Sequence, residues 1–145
     1  MPGMFVTPYE VRFADVDHAG IFYFPRFFHA FHVAFEKWWS EAVGRPYHLV
    51  LQEDKVGFPA VHIECDFFKP VTFGDPMEIR VQLKRMGKTS VVVRYEVAHR
   101  ETEEIHCASD ITSAVVDMDT FKAIEPPPAI RNALESLGQL DVDDV

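Results

Sequence analysis

Two cysteines, Cys65 and Cys107, are all that the chain offers to disulfide or thiolate chemistry. Each sits inside a strand-like run, which suits a reduced core thiol and argues against a disulfide framework or a thiolate metal site. Basic residues are scarce as well: 14 Lys and Arg stand against 23 Asp and Glu, a net charge of -9. General binding to nucleic acid or to an anionic membrane surface depends on basic contacts with phosphate, so neither partner is expected. A polyanionic ligand would need a local basic patch. No apolar run approaches the roughly 20 residues of a membrane span, and the N-terminus lacks the charged, then apolar, layout of a signal peptide. The expectation is a soluble, cytoplasmic protein. No repeat, low-complexity segment or second domain boundary interrupts the chain, which reads as one domain over residues 1–145, with a core at about 5–138 and an acidic tail at 139–145.

Phenylalanine, by contrast, is abundant, with 13 copies, many of them crowded into one stretch. Phe27, Phe28, Phe31, Ala34, Phe35, Trp38 and Ala42 recur at spacings of three and four, while Arg26, His29, Glu36, Lys37 and Glu41 fall largely elsewhere. Pro25 suits a first helical turn, and Gly44 followed by Pro46 supplies a stop, so a long helix is expected over about Pro25 to Val43. An aromatic stripe this broad needs a wide apolar cover, and a curved sheet provides one.

The strands for that sheet are legible as alternation. Tyr9, Val11 and Phe13 form a first short set; Val61, Ile63, Cys65 and Phe67 form a second, ended by Lys69-Pro70. Met77 to Leu83 and Val91 to Val97 make a hairpin through Met86-Gly87-Lys88-Thr89, with Gly87 expected at positive φ in a type II′ turn. Between the helix and the second strand, Pro46 to Gly57 reads as a connection with a helical turn around Leu49 to Glu53. A uniformly apolar run from about Ile105 to Met118 suggests a central strand buried on both faces, and Pro126 to Pro128 start a short helix, Ala129 to Leu137, stopped by Gly138. The fold class is therefore α+β: five antiparallel strands wrapped around one long helix, with a short C-terminal helix.

Just before the long helix lies Asp15-Val16-Asp17-His18-Ala19-Gly20. Two carboxylates there approach the free amides of a helix start, which can bind an anion or a developing oxyanion, as an acyl-transfer site requires. The same two aspartates would equally serve to cap a turn and the helix start. The segment Arg12-Phe13-Ala14-Asp15-Val16-Asp17-His18-Ala19-Gly20-Ile21, followed by aromatics, proline, a long helix and a four-strand meander, resembles the signature of the hotdog-fold thioesterases, and most closely the 4-hydroxybenzoyl-CoA thioesterase family. The order of elements agrees over about Tyr9 to Asp119.

That resemblance implies an acyl-CoA thioester hydrolase acting on an aromatic, benzoyl or hydroxybenzoyl type of acyl group, with no cofactor beyond the coenzyme A of the substrate. It implies Asp17 as the catalytic carboxylate, acting as nucleophile or as general base, and backbone donors to the thioester oxygen at Tyr23 and Phe24. Related branches carry histidine where this chain has Phe24, so a side-chain histidine role there is not open to it. His18, Gly20, Phe22, Phe27 and Phe28 are expected around the acyl group. Lys84, Arg85 and Lys88, with the hydroxyls of Thr89 and Ser90, form the one compact basic group and are expected to hold coenzyme A phosphates, although Gly87 stands where a second arginine is expected; a solvated turn is the alternative.

His29, His32 and Glu36 share a helical spacing that metal ligands use, but the polar side of an amphipathic helix explains them better, and no metal is expected. His62 alternates away from the apolar face of its strand. Open sheet edges and much aromatic surface call for pairing of copies, and hotdog proteins typically pair their sheets with sites at the interface, so a homodimer or homotetramer is expected. Two further readings stay open: a thioesterase for aliphatic acyl-CoA or acyl carrier protein, and a non-catalytic acyl-CoA-binding module.

Overall fold

The computed structural model describes residues 3–138; the acidic tail lies outside them. In chain order the elements are β1 (Phe5–Glu10), α1 (Pro25–Trp38), α2 (Tyr47–Gln52), β2 (Val56–Gly57), β3 (Ala60–Phe67), β4 (Pro76–Met86), β5 (Ser90–His99), β6 (Ile105–Ala114), β7 (Val116–Asp117) and α3 (Pro128–Glu135). Five antiparallel strands form one sheet in the order β1-β4-β5-β6-β3, and β2 pairs with β7 in a two-residue ribbon.

Helix α1 begins at Pro25, whose missing amide hydrogen costs nothing in a first turn. Its last turn, Trp39–Val43, widens so that the Gly44 amide reaches the Trp39 carbonyl at 2.8 Å, and Gly44 ends it at φ 94°. Phe27, Ala30, Phe31, Ala34, Phe35 and Trp38 are buried. The two alanines let the helix approach the sheet closely, and Phe31 stacks on Tyr95 of β5 with centroids 5.0 Å apart. Each such ring contributes about 1.5–3 kcal/mol relative to exposure, so the stripe is the main fastener of helix to sheet.

Four expectations need correction. The first strand lies earlier, at Phe5–Glu10, because the Asp15 carboxylate accepts the Arg12 amide and folds Phe13–Asp15 into a single tight turn that turns Phe13 out to solvent. The apolar run after Ile105 divides: β6 stops at Ala114, and Val116 and Asp117 leave to pair with β2. β6 is buried on both faces at 106–109, yet β5 is the central strand. Gly87 is absent from the positive-φ residues; glycine fits there because a Cβ would sit 2.9 Å from Ser90 Oγ.

The fourth correction matters most for the site. The strands after α1 do not form a simple meander, since β3 lies beyond β6 at the sheet edge while β4 lies beside β1. The chain must therefore cross the ends of β6 and β5 between Phe67 and Pro76, and residues 68–75 make that crossing as a strap. β3 itself is exposed along nearly its whole length, with Val61 at 63% and Phe67 at 51%.

Candidate active site

Residues 16–22 form a tight hairpin, with Val16 bridged to Phe22, the Asp17 amide donating to Ile21 O at 2.9 Å and the Gly20 amide to Asp17 O at 3.0 Å. Gly20 at φ 76° permits the reversal. The strap flanks this hairpin: Phe22 N donates to Val71 O at 2.7 Å, Phe73 N donates to Gly20 O at 3.1 Å, and Ile21 bridges Thr72. The strap is itself tied by Asp75, which accepts the Thr72 amide at 2.8 Å.

The two aspartates have different surroundings. Asp15 is 2% exposed and serves the structure. Its Oδ2 accepts from the Tyr9 hydroxyl and the Arg12 amide, each at 3.0 Å, and its Oδ1 accepts from Arg26 Nε at 3.1 Å and Nη2 at 3.0 Å. One carboxylate thus joins β1, the turn and the first turn of α1. Burial, and then the adjacent Asp15 charge, push the Tyr9 phenol up to about 12, so it remains a donor at neutral pH. Asp17 is exposed, and only its Oδ1 is engaged, accepting the Ala19 amide at 2.9 Å and the Ile21 amide at 3.3 Å. Oδ2 accepts no hydrogen bond among the described residues. An aspartate held by one oxygen and open at the other is fixed in orientation while keeping a lone pair for a proton or a carbonyl carbon.

Asp17, His18 and Gly20 line an open groove with Phe13, Val16, Tyr23 and Phe73. The amide of Tyr23, expected to face a substrate oxygen, instead donates to Asp15 O at 2.7 Å and is not free to do so. The amide of Phe24, which precedes the first residue of α1, has no acceptor among the described residues, and the helix N-terminus adds its partial positive charge there. Phe22 and Phe27 are also displaced from their expected place. They are 5% and 4% exposed and pack edge to face 4.4 Å apart inside the core, because hairpin and helix close on each other there. Phe28 is half-buried and lines a separate apolar cavity between α1 and the β3 edge, with Phe31, His32, Phe35, Ile63 and Ile111. Phe67 of β3 meets Phe24 and Phe27 at 6.3 and 5.5 Å. It belongs to the surroundings of the helix start, and sequence alternation set it on the apolar face of its strand without showing its exposure or its partner.

The basic residues are not gathered near Asp17. The strap and hairpin sit at the Pro76 end of β4, whereas Lys84 to Ser90 sit at its other end, ten residue steps and roughly 30 Å away at about 3.3 Å per residue. Lys84 is engaged by Asp110 at 2.5 Å on the sheet face opposite α1. Arg85, Lys88 and Thr89 are exposed, Lys88 lies 3.6 Å from Glu125, and Ser90 tucks under Gly87. Arg131 of α3 steadies the turn by donating to the Gly87 and Lys88 carbonyls at 3.0 and 3.2 Å. His62 is exposed beside Glu64, and His32 pairs with Glu36 at 3.6 Å; among the described residues no three His, Cys, Asp or Glu side chains are gathered to hold a metal ion. Cys65 and Cys107 are free thiols with sulfurs 3.5 Å apart, and burial pushes the Cys107 thiol well up. No helix among the described residues is long and apolar enough to cross a membrane.

Residues 11–134 match the model of the Thioesterase-like superfamily. A 1,4-dihydroxy-2-naphthoyl-CoA hydrolase of Nostoc punctiforme is 32% identical over 127 residues, covering 87% of this chain and 83% of the relative. Among solved structures, a thioesterase-superfamily protein from Jannaschia sp. superposes with a TM-score of 0.84 at 25% identity, covering 94% of this chain and 93% of its own. A 1,4-dihydroxy-2-naphthoyl-CoA thioesterase from Synechocystis gives 0.81 at 23% identity, covering 90% and 95%. These names place the likeness at the level of the superfamily. The chain, with its hotdog sheet, central helix and aspartate hairpin, belongs to the Thioesterase-like superfamily.

Proposed function

We propose that this protein is an acyl-CoA thioesterase that hydrolyses a hydroxylated aromatic acyl-CoA to the free acid and coenzyme A. The observation that carries this reading is Asp17, whose carboxylate is tethered through Oδ1 and open through Oδ2 in the hairpin that leads into α1, where the Phe24 amide is unused among the described residues. A thioester is already an activated acyl group, so a placed carboxylate and one oxyanion donor suffice. As general base, Asp17 takes a proton from water while the water oxygen attacks the carbonyl carbon. The oxyanion rests on the Phe24 amide, and collapse expels the coenzyme A thiolate, which takes up the proton. As nucleophile, Asp17 itself forms the new C–O bond while the C–S bond breaks and the coenzyme A thiolate leaves; water then opens the resulting anhydride, which releases the acid, restores the carboxylate and gives a proton to the thiolate.

The aromatic class is supported by the hydroxynaphthoyl substrates in the relatives' names and by the rings of Phe13, Tyr23 and Phe73 that line the groove with Asp17. The basic turn enters through a second copy of the chain. Two copies paired antiparallel along the open β3 edge run in opposite directions, so the partner's basic turn comes to the Asp17 end, and the exposed Val61, Ile63 and Phe67 are covered.

Thiol release from a panel of 1,4-dihydroxy-2-naphthoyl-CoA, 4-hydroxybenzoyl-CoA and palmitoyl-CoA tests the reading. The aryl esters should lead in kcat/KM, and Asp17→Asn should lower turnover by at least ~10²-fold while leaving binding largely intact. Binding without turnover of any ester would make the protein a carrier, and a preference for palmitoyl-CoA would overturn the aromatic class.

A further inference from the structure

We infer that His106 is a positioning residue for Asp17, acting through the strap that crosses the end of the sheet. The inference rests on the catalytic reading of Asp17. His106 lies in the first turn-proximal part of β6, is 3% exposed, and has no direct contact with the hairpin. What it does contact is the root of the strap, three times over. Its carbonyl accepts the Phe68 amide at 2.8 Å and the Lys69 amide at 3.2 Å, and its Nδ1 lies 3.0 Å from the Pro70 carbonyl. A carbonyl can only accept, so Nδ1 carries the hydrogen and donates.

The backbone pair would form with any residue at position 106. The side-chain bond would not, and it falls on the residue where the strap leaves β6 for the hairpin. The next carbonyl along, Val71 O, is the one that accepts Phe22 N, and Phe73 N then holds Gly20 O. From His106 to the Asp17 turn the link thus runs through two hydrogen bonds, His106 to Pro70 and Phe22 to Val71, joined by the strap's own backbone, with Phe73 to Gly20 as a second tie. Burying an imidazole whose Nε2 has no hydrogen-bond partner, with only the Glu104 carboxylate at 3.8 Å, is a poor use of a core position unless the Nδ1 bond matters. Pro70 adds to the case, because its own nitrogen cannot anchor the strap and its carbonyl is what remains.

The test is the set His106→Asn, His106→Gln and His106→Leu. Asparagine can place an amide N–H where Nδ1–H was, glutamine reaches past it, and leucine removes the donor. His106→Leu and His106→Gln should lower kcat by about tenfold or more with KM little changed, while His106→Asn restores most of it. Amide exchange at Phe22 and Phe73 should quicken in the first two variants and return towards normal in the third, with the thermal midpoint and exchange of the β4–β5 pair unaltered. If leucine prevents folding, the contrast between asparagine and glutamine still decides. Equal kcat in all variants, or a loss that asparagine shares with glutamine, overturns the proposal. If instead Asp17→Asn turns over as fast as the unsubstituted protein, the catalytic reading fails and the positioning role falls with it. Exchange at Phe22 and Phe73 would then show that His106 only orders the strap.

Discussion

Asp15 and Asp17 carry the same carboxylate two residues apart, in opposite surroundings. Asp15 satisfies four donors from β1, the turn and α1 inside the protein, so its charge is held by the fold; Asp17 spends one oxygen on its own turn and leaves the other to solvent. Asp15→Asn keeps the shape but replaces an acceptor with an amide that must face Arg26, Tyr9 or the Arg12 amide with a donor. Discounted for the partial exposure of Arg26, the loss should be about 3 kcal/mol, a drop of roughly 10 °C in Tm for a chain of this size. Asp17→Asn should barely move Tm. Calorimetry of the two variants beside their turnover separates the roles, and a Tm loss in Asp17→Asn equal to that in Asp15→Asn would refute the division. From the sequence, both aspartates were visible as a pair, yet which one is buried depends on Arg26, eleven residues on, and on Tyr9. The same limit applied to Tyr23 and Phe24: adjacency marked both amides, and only the Asp15 carbonyl, brought round by the turn at Phe13–Asp15, decides that Tyr23 is spent and Phe24 is not.

At the scale of elements, periodicity served best where one face is dry. The stripe on α1 and the alternation of β4 and β5 follow largely from burial on a single side, and all three elements stand where the residues put them. Pairing order left no such mark. β3 alternates as well as β4 does, but nothing in its residues says that it sits beyond β6, so the strap and its grip on the Asp17 hairpin were hidden. The strap carries its own acid sensitivity. Burial works to raise the Asp75 pKa, but the Thr72 amide and hydroxyl, with the more distant His99 and His106, outweigh it and hold the carboxyl below its ordinary value. A carboxylate depressed by folding stabilises in full above its unfolded pKa and loses that contribution as pH falls through the folded one. The strap should therefore keep its order down to about pH 4, the ordinary aspartate range, and loosen below it. Amide exchange at Phe73 followed against pH checks this, and Asp75→Asn should abolish the acid-dependent step.

Across the whole molecule, the described surface is divided by chemistry: a charged outer sheet face where Lys84, Arg94 and Asp110 bind one another, a covered inner face, and an exposed apolar edge strand at β3, opposite the β1 edge. Composition revealed the acidity but could not reveal that the basic turn and the aspartate hairpin cap opposite ends of the sheet. In a symmetric pair built on β3, each active centre would draw its carboxylate from one chain and its phosphate-binding turn from the other. Loss of the two parts is then not additive across copies. An Asp17→Asn chain and a chain carrying Arg85→Ala with Lys88→Ala, each crippled alone at low substrate, would rescue one another when unfolded together and refolded. Half the dimers would be mixed, and in each of these one centre would receive both intact parts and the other neither, returning about a quarter of the normal centres. Activity no greater than the mean of the two parents would mean that each chain works by itself. Recovery near that fraction would make β4 the ruler that obliges two copies of the chain to share one catalytic event.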